Sequence, residues 1–464
     1  MKYDITIIGA GPGGYVAAIK AAQLGAKVAL IEKNKVGGVC LNRGCIPTKA
    51  LVASAEMYKN LSDCKKYAIK LNGKLSVDMR DVIARKDKIV NLLVAGIKAL
   101  LKNNKIDLIK GDALIKGEKT ISLKNFTDGS SDQIETDNII IATGSEPISL
   151  PGLTLDGNFI ISSDEALNLQ DIPSEILIVG AGVIGCEFAF MLNNFGAKVT
   201  IVEMLQKALP FEDLEISAII EREFKKRKIK LITGQKVEKI SPPDNNRIKA
   251  ETSSGESFDV DKILLSVGRK YNSSGLGLDK IGLKSGKRGN IEVNDKLETN
   301  IKGIYAIGDV SGEPFYAHKA SHEGIVAVRN ALGANISREK EIIPYGIFTH
   351  PEIGGVGITE EQAKAKNLDY KIGKFNFRGL GRAHTLSEID GLVKVISDAN
   401  DDSILGVRII GASASEVIHV AACAMKAGLK TDELADMIYS HPTMSEGLQE
   451  ALHDVHGIAI HLPK

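Results

Sequence analysis

Residues 5–15 read ITIIGAGPGGY, and this stretch decides the fold. An apolar run, predicted as a buried strand at 5–8, is followed at once by G-x-G-x-x-G and by a stretch that predicts a helix over 15–24. In a dinucleotide-binding turn the first glycine allows the tight turn, the second lets the backbone approach a pyrophosphate, and the third packs helix against strand. The helix N-terminus attracts the phosphate charge. A single motif of this kind is weak because glycines cluster in turns, so its context has to support the interpretation.

The same pattern occurs a second time, displaced by 171 residues. The matching positions are Gly9, Gly11, Gly14, Gly25 and Glu32 in the first copy and Gly180, Gly182, Gly185, Gly196 and Glu203 in the second. Each copy ends on a glutamate that can accept hydrogen bonds from ribose hydroxyls. Two copies in register predict two nucleotide-binding units of similar build. A carboxylate at Glu203 would repel a 2′-phosphate and no arginine follows within 204–206, so the second unit is predicted to prefer NAD to NADP.

Periodicity predicts the remaining elements and separates the last part of the chain from the rest. Strands are expected at 28–32, 138–142, 176–179, 263–267, 393–396 and 404–410, and helices at 77–101, 415–427 and 431–438. Beyond residue 342 the strands precede the helices, which is typical of an α+β unit. The most polar stretches, 125–132 and 241–257, are expected to be hairpin loops within domains rather than linkers between them.

The composition excludes several classes of protein. Among 464 residues, 59 Lys and Arg against 58 Asp and Glu leave a formal net charge of +1, so no electrostatic attraction for nucleic acid or an anionic membrane is expected. The chain has no Trp and only 5% aromatic residues, which disfavours base stacking. No apolar run reaches about 18 residues, so no membrane span is predicted. Because no C-x-x-C pair occurs, a metal site is not expected either.

Five cysteines in a chain of this size predict a reducing compartment, in which any disulfide would be a redox-active one. Only Cys40 and Cys45 are close in sequence, within GGVCLNRGCIPTK at 37–49. In a regular helix their Cα atoms would be about 8.5 Å apart, beyond the usual disulfide limit of ~7 Å. A distorted first turn, for which Gly44 and Pro47 provide the irregularity, would allow a strained and readily reduced bridge. Two unrelated buried thiols are the alternative. The other cysteines are expected to be small buried apolar residues: Cys64, Cys186 and Cys423.

A third element, His441-Pro-Thr-Met-Ser-Glu446, lies near the C-terminus. A residue before proline avoids helical geometry, which places Glu446 in the helix that follows. This spacing suits a histidine–carboxylate pair in which Glu446 orients the imidazole as a base. A lone surface histidine beside an unrelated glutamate is the alternative interpretation.

Together the two glycine motifs, the Cys40–Cys45 segment, Tyr305-Ala-Ile-Gly-Asp309 and the His441–Glu446 pair resemble the flavin disulfide reductases over nearly the whole chain. The resemblance implies FAD in the first unit and NAD in the second. It implies that FAD is bound by Gly9, Gly11, Gly14, Glu32, Lys33, Gly38, Lys49, Ala113, Ala142, Thr143, Gly144, Asp309, Ala317 and His318. It implies that NAD is bound by Gly180, Gly182, Val183, Gly185, Glu187, Glu203, Val237 and Gly268, with Lys49 and Glu187 forming an ion pair beside the flavin.

The resemblance is strongest to the NAD-using branch that oxidises protein-bound dihydrolipoamide to lipoamide. It implies that the catalytic residues are Cys40, Cys45, His441 and Glu446. His441, supported by Glu446, would deprotonate a substrate thiol; Cys40 would receive the attack; and Cys45 would pass electrons through FAD to NAD⁺. Another NAD(P)H-dependent flavin disulfide reductase, a diaphorase, or a non-catalytic redox-responsive flavoprotein are the alternatives.

The implied partners follow from the same resemblance. A homodimer is expected, in which each site borrows His441 from the other subunit. The lipoyl domains and acyltransferase core of a 2-oxo acid dehydrogenase complex, or a glycine cleavage complex, are the expected larger assembly. No nucleic acid, membrane or metal is expected. The predicted compartment is the cytoplasm, or the mitochondrial matrix if the source is eukaryotic and a transit peptide has been removed.

The implied fold class is α/β, with two Rossmann-like dinucleotide-binding domains and a C-terminal α+β dimerisation domain. The expected domains are FAD-binding 1–147, NAD-binding 148–270, a central domain 271–341 that completes the FAD site, and an interface domain 342–464. The sequence departs from the family pattern in two places. Val39 stands where the family usually has Thr, and Phe315-Tyr316 stand where it usually has Met-Leu, which affects packing at the flavin edge.

Overall fold

The computed structural model describes residues 2–125, 131–340 and 342–462. Its strands form five sheets, and in chain order they are β1 (Lys2–Ile8), β2 (Val28–Glu32), β3 (Asp107–Gly117), β4 (Thr120–Asn125), β5 (Ser131–Ile141), β6 (Ser145–Pro147), β7 (Ile160–Ile161), β8 (Glu175–Val179), β9 (Lys198–Val202), β10 (Lys230–Ile232), β11 (Val237–Ile240), β12 (Ile248–Thr252), β13 (Ser257–Val260), β14 (Lys262–Leu265), β15 (Arg269–Tyr271), β16 (Ile304–Ala306), β17 (Tyr345–Ile347), β18 (Ile353–Gly357), β19 (Tyr370–Asn376), β20 (Leu392–Asp398) and β21 (Ile404–Ile410). The α-helices are α1 (Pro12–Gln23), α2 (Gly38–Arg43), α3 (Cys45–Ser62), α4 (Met79–Asn103), α5 (Ser163–Ala166), α6 (Val183–Asn194), α7 (Leu214–Lys226), α8 (Ala317–Ala331), α9 (Glu360–Ala365), α10 (Gly381–Leu386), α11 (Ala414–Ala427), α12 (Thr431–Ala435) and α13 (Glu446–Asp454).

The first sheet carries the first glycine motif. Its parallel part has the order β3-β2-β1-β5-β16, and β4 extends it by antiparallel pairing with β3 and β5. Ile5 of β1 pairs with Val28 of β2 and Asn138 of β5. Central parallel strands are apolar throughout because both of their faces are covered. The strands predicted at 5–8, 28–32 and 138–142 are confirmed, whereas the loop predicted at 125–132 falls largely on residues outside the described part.

The second unit repeats this arrangement with a parallel sheet of order β10-β9-β8-β14-β7. Ile176 of β8 pairs with Val199 of β9, and α6 follows β8 as α1 follows β1. The strands predicted at 176–179 and 263–267 are confirmed as β8 and β14, although β14 ends two residues early. The long helix predicted at 77–101 is α4, whose start is capped by the Asp78 carboxylate accepting from the Arg80 amide at 2.8 Å.

The hairpin loops predicted over 241–257 are present at 241–247 and 253–256, but the stretch between them forms β12, which was not predicted. The three strands β11, β12 and β13 form an antiparallel sheet. Ile248, Ala250 and Thr252 of β12 are buried while the residues between them are not. A strand with one solvated face has the alternating pattern that the polar composition concealed.

The C-terminal part is an α+β unit with the antiparallel sheet β17-β18-β21-β20-β19. Helices α11 and α13 pack on it. The strands predicted at 393–396 and 404–410 and the helix predicted at 415–427 are confirmed, while the helix predicted at 431–438 ends at Ala435. Cys64 and Cys186 are buried as predicted. The prediction that Cys423 is buried is wrong, because Ile418 and Ala421 of α11 face the sheet and Cys423 points away from it, exposed.

The largest hydrophobic core does not stop at the boundary of one unit. It combines Phe188 and Ile201 of the second unit with Leu51 of α3 and with Ile353 and Ile410 of the C-terminal sheet. The two dinucleotide-binding units and the C-terminal unit therefore share buried surface.

No helix among the described residues combines the length and apolar character needed to cross a bilayer.

Candidate active site

The two glycine-rich turns have nearly the same geometry. The first glycine has a φ of +104° at Gly9 and +102° at Gly180, a left-handed conformation that favours glycine. A Cβ on Gly14 would lie 1.8 Å from the Gly9 carbonyl oxygen, and a Cβ on Gly185 would lie 2.0 Å from the Gly180 carbonyl oxygen. Strand and helix therefore approach too closely at both turns for a larger residue.

The second glycine of each turn begins a helix and faces open space. Gly11 precedes α1 and Gly182 precedes α6, and no side chain caps either helix. A Cβ on Gly182 would meet no protein atom within 4 Å, and one on Gly11 would come no closer than 3.8 Å to the Gly38 Cα. The backbone N–H groups of both first turns are thus accessible to a phosphate group.

Two glutamates hold the turns in place, which the sequence did not predict. Each carboxylate of Glu32 and Glu203 accepts two backbone N–H groups, one on each oxygen, in addition to any ribose hydroxyl. The bonds run from Ala10 (2.7 Å) and Asn34 (2.7 Å) to Glu32, and from Ala181 (2.6 Å) and Leu205 (2.8 Å) to Glu203. The donors are again displaced by 171 residues. The sequence repeat therefore extends to the hydrogen bonds that shape each turn.

A cleft of about 3040 Å³ runs between the units and joins both turns. Most of the predicted cofactor residues and both close cysteines line it: Gly9, Gly11, Glu32, Lys33, Gly38, Cys40, Cys45, Lys49, Ala113, Ala142, Thr143, Gly144, Gly180, Gly182, Val183, Glu187, Glu203, Val237, Gly268, Asp309, Ala317 and His318. Gly14 and Gly185 lie behind the turns, where they pack helix on strand. A space of this size, open at both glycine turns, fits two extended dinucleotides meeting near its middle.

The cysteine pair lies at a break in the helix. α2 ends at Arg43, α3 begins at Cys45, and Gly44 between them has φ −141° and ψ −115°, well outside the helical region. This is the distortion that the sequence required for the two cysteines to approach each other. Cys40 and Cys45 are free thiols in the structure, and both line the cleft.

The environment gives the two thiols different acidity. The hydrogen bond from Cys40 lowers the pKa of Cys45 to about 7, against the opposing effect of burial and with help from the Lys49 ammonium group. The same hydrogen bond, together with burial, raises the pKa of Cys40. Cys45 is therefore the more acidic thiol of the pair and the first to become a thiolate.

The predicted ion pair between Lys49 and Glu187 is present. Nζ of Lys49 lies 2.9 Å from Oε1 and 2.8 Å from Oε2 of Glu187, whose side chain is 4% exposed. The Phe348 amide donates to the same carboxylate at 2.9 Å, and the Lys49 ammonium lies 4.6 Å from the centre of the Phe348 ring. Helices α3 and α6 and the C-terminal unit are thus joined beside the thiols.

Asp309 belongs to a polar chain of which the sequence indicated only one member. The Ser145 hydroxyl donates to the Asp309 carboxylate at 2.5 Å, and Nε of Arg269 donates to Ser145 at 2.7 Å. Burial lowers the pKa of Arg269, and the Asp309 carboxylate opposes that change. Both missed residues directly follow predicted ones, since Ser145 succeeds Gly144 and Arg269 succeeds Gly268. Ser145 and Arg269 begin β6 and β15, and their position directly after the predicted glycines was the available signal.

The residues that depart from the family pattern also line the cleft. Val39, Phe315 and Tyr316 are all in its wall. The Phe315 ring meets the Tyr271 ring edge-on, with centroids 5.6 Å apart and an interplanar angle of 74°. Aromatic side chains from the two halves of the cleft therefore touch at this point.

The predicted pair His441–Glu446 is formed at the C-terminal end of the chain. Nδ1 of His441 lies 2.8 Å from Oε1 of Glu446, whose other oxygen accepts the Thr443 amide at 2.8 Å. Burial raises the pKa of Glu446, but the hydrogen bonds from His441 and Thr443 outweigh it and the net shift is downward. The His441 side chain is 76% exposed and is not among the described residues that line the cleft. Within one chain the histidine and the cysteines are not brought together.

Family models match nearly all of this chain. Residues 3–324 match the model described as pyridine nucleotide-disulphide oxidoreductase, and residues 343–452 match the dimerisation domain of the same group.

Named relatives cover the full length. The chain is 42% identical to a dihydrolipoyl dehydrogenase of Bacillus subtilis over 99% of both chains. It resembles the crystal structure of LpdA from Mycobacterium tuberculosis, with a TM-score of 0.90 and 26% identity over 97% of this chain and 99% of that one. It also resembles an HOCl-induced flavoprotein disulfide reductase of Escherichia coli, with a TM-score of 0.86 and 31% identity over 97% of this chain and 99% of that one.

Proposed function

The chain belongs to the pyridine nucleotide-disulphide oxidoreductase family, and from that premise we propose its reaction and the residues that carry it out. It is a dihydrolipoyl dehydrogenase, an FAD-dependent enzyme that oxidises dihydrolipoamide to lipoamide with NAD⁺ as acceptor. The observation that carries the assignment of the site is that Cys40 and Cys45, on either side of the helix break at Gly44, both line the cleft that joins the two glycine turns. The proposed domains are 1–147 for FAD, 148–270 for NAD, 271–341 as the central domain and 342–464 as the interface.

The two turns fit the two cofactors. Gly11 and Gly182 present uncapped helix N-termini to the cleft, and space for a pyrophosphate is open above Gly182. We assign FAD to the first turn, with Asp309, Ala317 and His318 completing its site, and NAD to the second. When bound, FAD supplies the two-electron acceptor that links the dithiol to NAD⁺.

Cys40 and Cys45 perform the disulfide exchange. In the oxidised pair, a substrate thiolate attacks Sγ of Cys40, a mixed disulfide forms, and Cys45 leaves as a thiolate. The second substrate thiol then attacks the substrate sulfur of the mixed disulfide, which closes lipoamide and leaves Cys40 reduced. The cysteine pair has gained two electrons, and the substrate has lost two electrons and two protons.

The acidity of Cys45 supports its role as the leaving thiolate. In the reduced pair the pKa of Cys45 is lowered to about 7, and of the causes of that shift the Lys49 charge also acts on Cys45 when Cys40 is held in the mixed disulfide and carries no proton. A leaving thiol of lower pKa departs faster in thiol–disulfide exchange. Glu187 fixes the position of Lys49 and thereby the strength of this effect.

We assign His441 as the base that removes the first substrate proton, with Glu446 orienting its ring. Since His441 is exposed and lies outside the cleft of its own chain, the proposed active site includes His441 of one subunit and Cys40 of the other. The dimerisation domain over 343–452, which contains His441 and Glu446, supports a homodimer.

The larger assembly follows from the reaction. Dihydrolipoamide is carried on lipoyl domains, so we propose that the dimer binds the acyltransferase core of a 2-oxo acid dehydrogenase complex or serves a glycine cleavage complex. The proposed compartment is the cytoplasm, or the mitochondrial matrix for a eukaryotic source.

Substrate choice tests the function directly. We expect NAD⁺ reduction with dihydrolipoamide and no comparable NAD⁺-linked turnover of glutathione. Activity with NADH and quinones but none with dihydrolipoamide would indicate a diaphorase and refute the proposal.

Hybrid dimers test the shared site. His441→Gln should keep FAD and NADH–quinone activity but lose dihydrolipoamide oxidation by a factor of about 10²–10⁴, the usual contribution of a positioned base. Cys40→Ser should be inactive because the attacked sulfur is missing. Dimers that combine the two variants should recover activity, since the intact cysteines receive His441 from the other subunit. No recovery in confirmed hybrids would show that His441 acts within its own chain or is not the base.

A further inference from the structure

Three aromatic rings form a column in the wall of the cleft. The rings of His318 and Tyr316 are stacked with centroids 5.2 Å apart and 14° between planes. The rings of Tyr316 and Tyr345 are stacked with centroids 5.8 Å apart and 17° between planes. His318 opens to the cleft at one end, while Tyr345 packs against Gly355, where a Cβ would lie 2.3 Å from the tyrosine hydroxyl. The column therefore has one free end and one fixed end.

The fixed end is held by a buried ion pair. The Tyr345 hydroxyl donates to Oε2 of Glu212 at 2.5 Å, and Nε of Arg408 donates to Oε1 of Glu212 at 2.9 Å. The Arg408 guanidinium lies 5.7 Å from the centre of the Tyr345 ring. Glu212 is 5% exposed and Arg408 3% exposed, so the two opposite charges compensate each other in a buried site.

Glu212 connects the column to the second glycine turn. It lies in the loop over 209–213, which precedes α7, and the Leu209 amide of that loop donates to the Ala181 carbonyl inside the turn at 2.8 Å. Pro210 and Phe211 of the same loop line the cleft. The next residue, Asp213, is held by a second buried ion pair with Lys394 at 3.0 Å. The loop is thus tied both to the nucleotide turn and to the C-terminal sheet.

At the other end, His318 lies in the first turn of α8 beside Ala317, in the stretch assigned to FAD. A continuous set of packed and hydrogen-bonded groups therefore joins the NAD turn to the FAD stretch: Ala181, Leu209, Glu212, Tyr345, Tyr316 and His318. Contacts of this kind transmit a constraint when each member has few alternative positions. Stacking limits the positions of both tyrosine rings, and the hydrogen bond from the Tyr345 hydroxyl to Glu212 limits the Tyr345 ring further.

We propose that Tyr316 and Tyr345 are positioning residues that couple NAD⁺ binding at the Gly180–Gly185 turn to the flavin environment at Ala317–His318. This inference rests on the proposed function, because it requires FAD at that stretch. A nucleotide bound at the turn acts on the loop over 209–213 through the hydrogen bond from the Leu209 amide to the Ala181 carbonyl, and the loop holds the Tyr345 ring through Glu212. By reciprocity, the factor by which NAD⁺ changes the affinity for FAD equals the factor by which FAD changes the affinity for NAD⁺. A change at His318 that alters this coupling therefore also alters the affinity for NAD⁺.

Three tyrosine variants separate stacking from hydrogen bonding. Tyr345→Phe removes the hydroxyl donated to Glu212 and keeps the ring. Tyr316→Leu removes the middle ring and introduces the residue that the family usually has. Tyr316→Phe removes only the hydroxyl and keeps the middle ring. Tyr370→Phe is the control, because its hydroxyl donates to Glu360 at 3.2 Å outside the column.

The measurements use the FAD-containing dimer. They are FAD content, the Kd of NAD⁺ for the oxidised enzyme by calorimetry, and the flavin midpoint potential with and without NAD⁺. We expect Tyr345→Phe and Tyr316→Leu each to weaken NAD⁺ binding about 3–10-fold and to reduce the shift in potential that NAD⁺ causes. The double variant should bind NAD⁺ no more weakly than the weaker-binding single variant, because both changes break the same connection. Tyr316→Phe should bind NAD⁺ more tightly than Tyr316→Leu because it keeps the stacked ring, and Tyr370→Phe should match the wild type.

Two results would overturn the inference while leaving the proposed function intact. One is a Tyr316→Leu variant with the wild-type Kd for NAD⁺ and the wild-type flavin midpoint potential. The other is a double variant in which the two effects on NAD⁺ binding are strictly additive. In both cases FAD content and dihydrolipoamide turnover would have to be normal. Wild-type protein that carries no FAD would refute both the proposed function and this inference.

Discussion

The ion pair between Lys49 and Glu187 gives a prediction with a calculable size. Lys49→Met removes the ammonium group and leaves the Glu187 carboxylate, 4% exposed, with the Phe348 amide as its remaining described hydrogen-bond donor. Removing one partner of a buried pair costs about 3–5 kcal/mol. Because the Lys49 side chain is 31% exposed to the cleft, we expect the lower end of that range, about 3 kcal/mol in the free energy of unfolding.

The same substitution should change the thiol chemistry. Lys49 helps to lower the pKa of Cys45 to about 7, so its loss should raise that pKa toward the ordinary value of a thiol. At pH values near 7, less Cys45 is then ionised and exchange slows. Lys49→Met combined with Glu187→Gln should recover most of the stability, since no buried charge is left unpaired. The double substitution should not restore the acidity of Cys45, because the ammonium group is still missing.

Reduced apoprotein is the appropriate sample, with urea unfolding for stability and the ultraviolet absorbance of the thiolate for Cys45. Lys59→Met is the matched control, because Lys59 lies on the same helix α3 in an exposed pair with Asp63 and should change stability by about 0.5 kcal/mol or less. If Lys49→Met were as stable as Lys59→Met and its thiolate titrated as in the wild type, the account of this ion pair would be wrong.

Three further outcomes are expected. Cys45→Ser should bind FAD normally and lose lipoamide turnover in a steady-state assay; full turnover would remove Cys45 from the redox pair. Glu203→Ala should weaken NAD⁺ binding and lower the ratio of kcat/KM with NAD⁺ to kcat/KM with NADP⁺, since the carboxylate both holds the turn and repels a 2′-phosphate. An unchanged ratio would contradict this prediction. Gly182→Ala should fold normally and lose NAD⁺ affinity at least tenfold, because its methyl group enters the open space for the pyrophosphate. Gly180→Ala should instead lower the melting temperature, because Gly180 has a positive φ. Wild-type NAD⁺ affinity in Gly182→Ala would refute the assignment of that turn.

The sequence predicted the turns and the break in the helix because these depend on local constraints. Gly9 and Gly180 have positive φ, and Gly44 separates α2 from α3, as tight turns and the spacing of Cys40 and Cys45 require. Local backbone limits are readable from residue type and spacing.

Contacts between distant segments were not readable in this way. The bonds from Ser145 to Asp309 and from Tyr345 to Glu212 join residues more than 100 positions apart, and no periodicity reports them. The strand β12 was missed for a different reason, because one of its faces is solvated and its polar residues masked the alternation of Ile248 and Ala250. His441 is not among the described residues that line the cleft with Cys40, and the sharing of His441 between subunits was expected from the family resemblance alone.

The core shared by Phe188, Ile353 and Ile410 has a consequence for synthesis and engineering. While the ribosome has made only the first 340 residues, the second unit lacks the apolar surface of Ile353 and Ile410 and leaves its own matching surface in water. Its packing is completed only after the C-terminal sheet emerges, so its folding follows, rather than precedes, translation of the last part of the chain. For the same reason, excising the second unit as an independent NAD-binding module would expose this surface and favour aggregation.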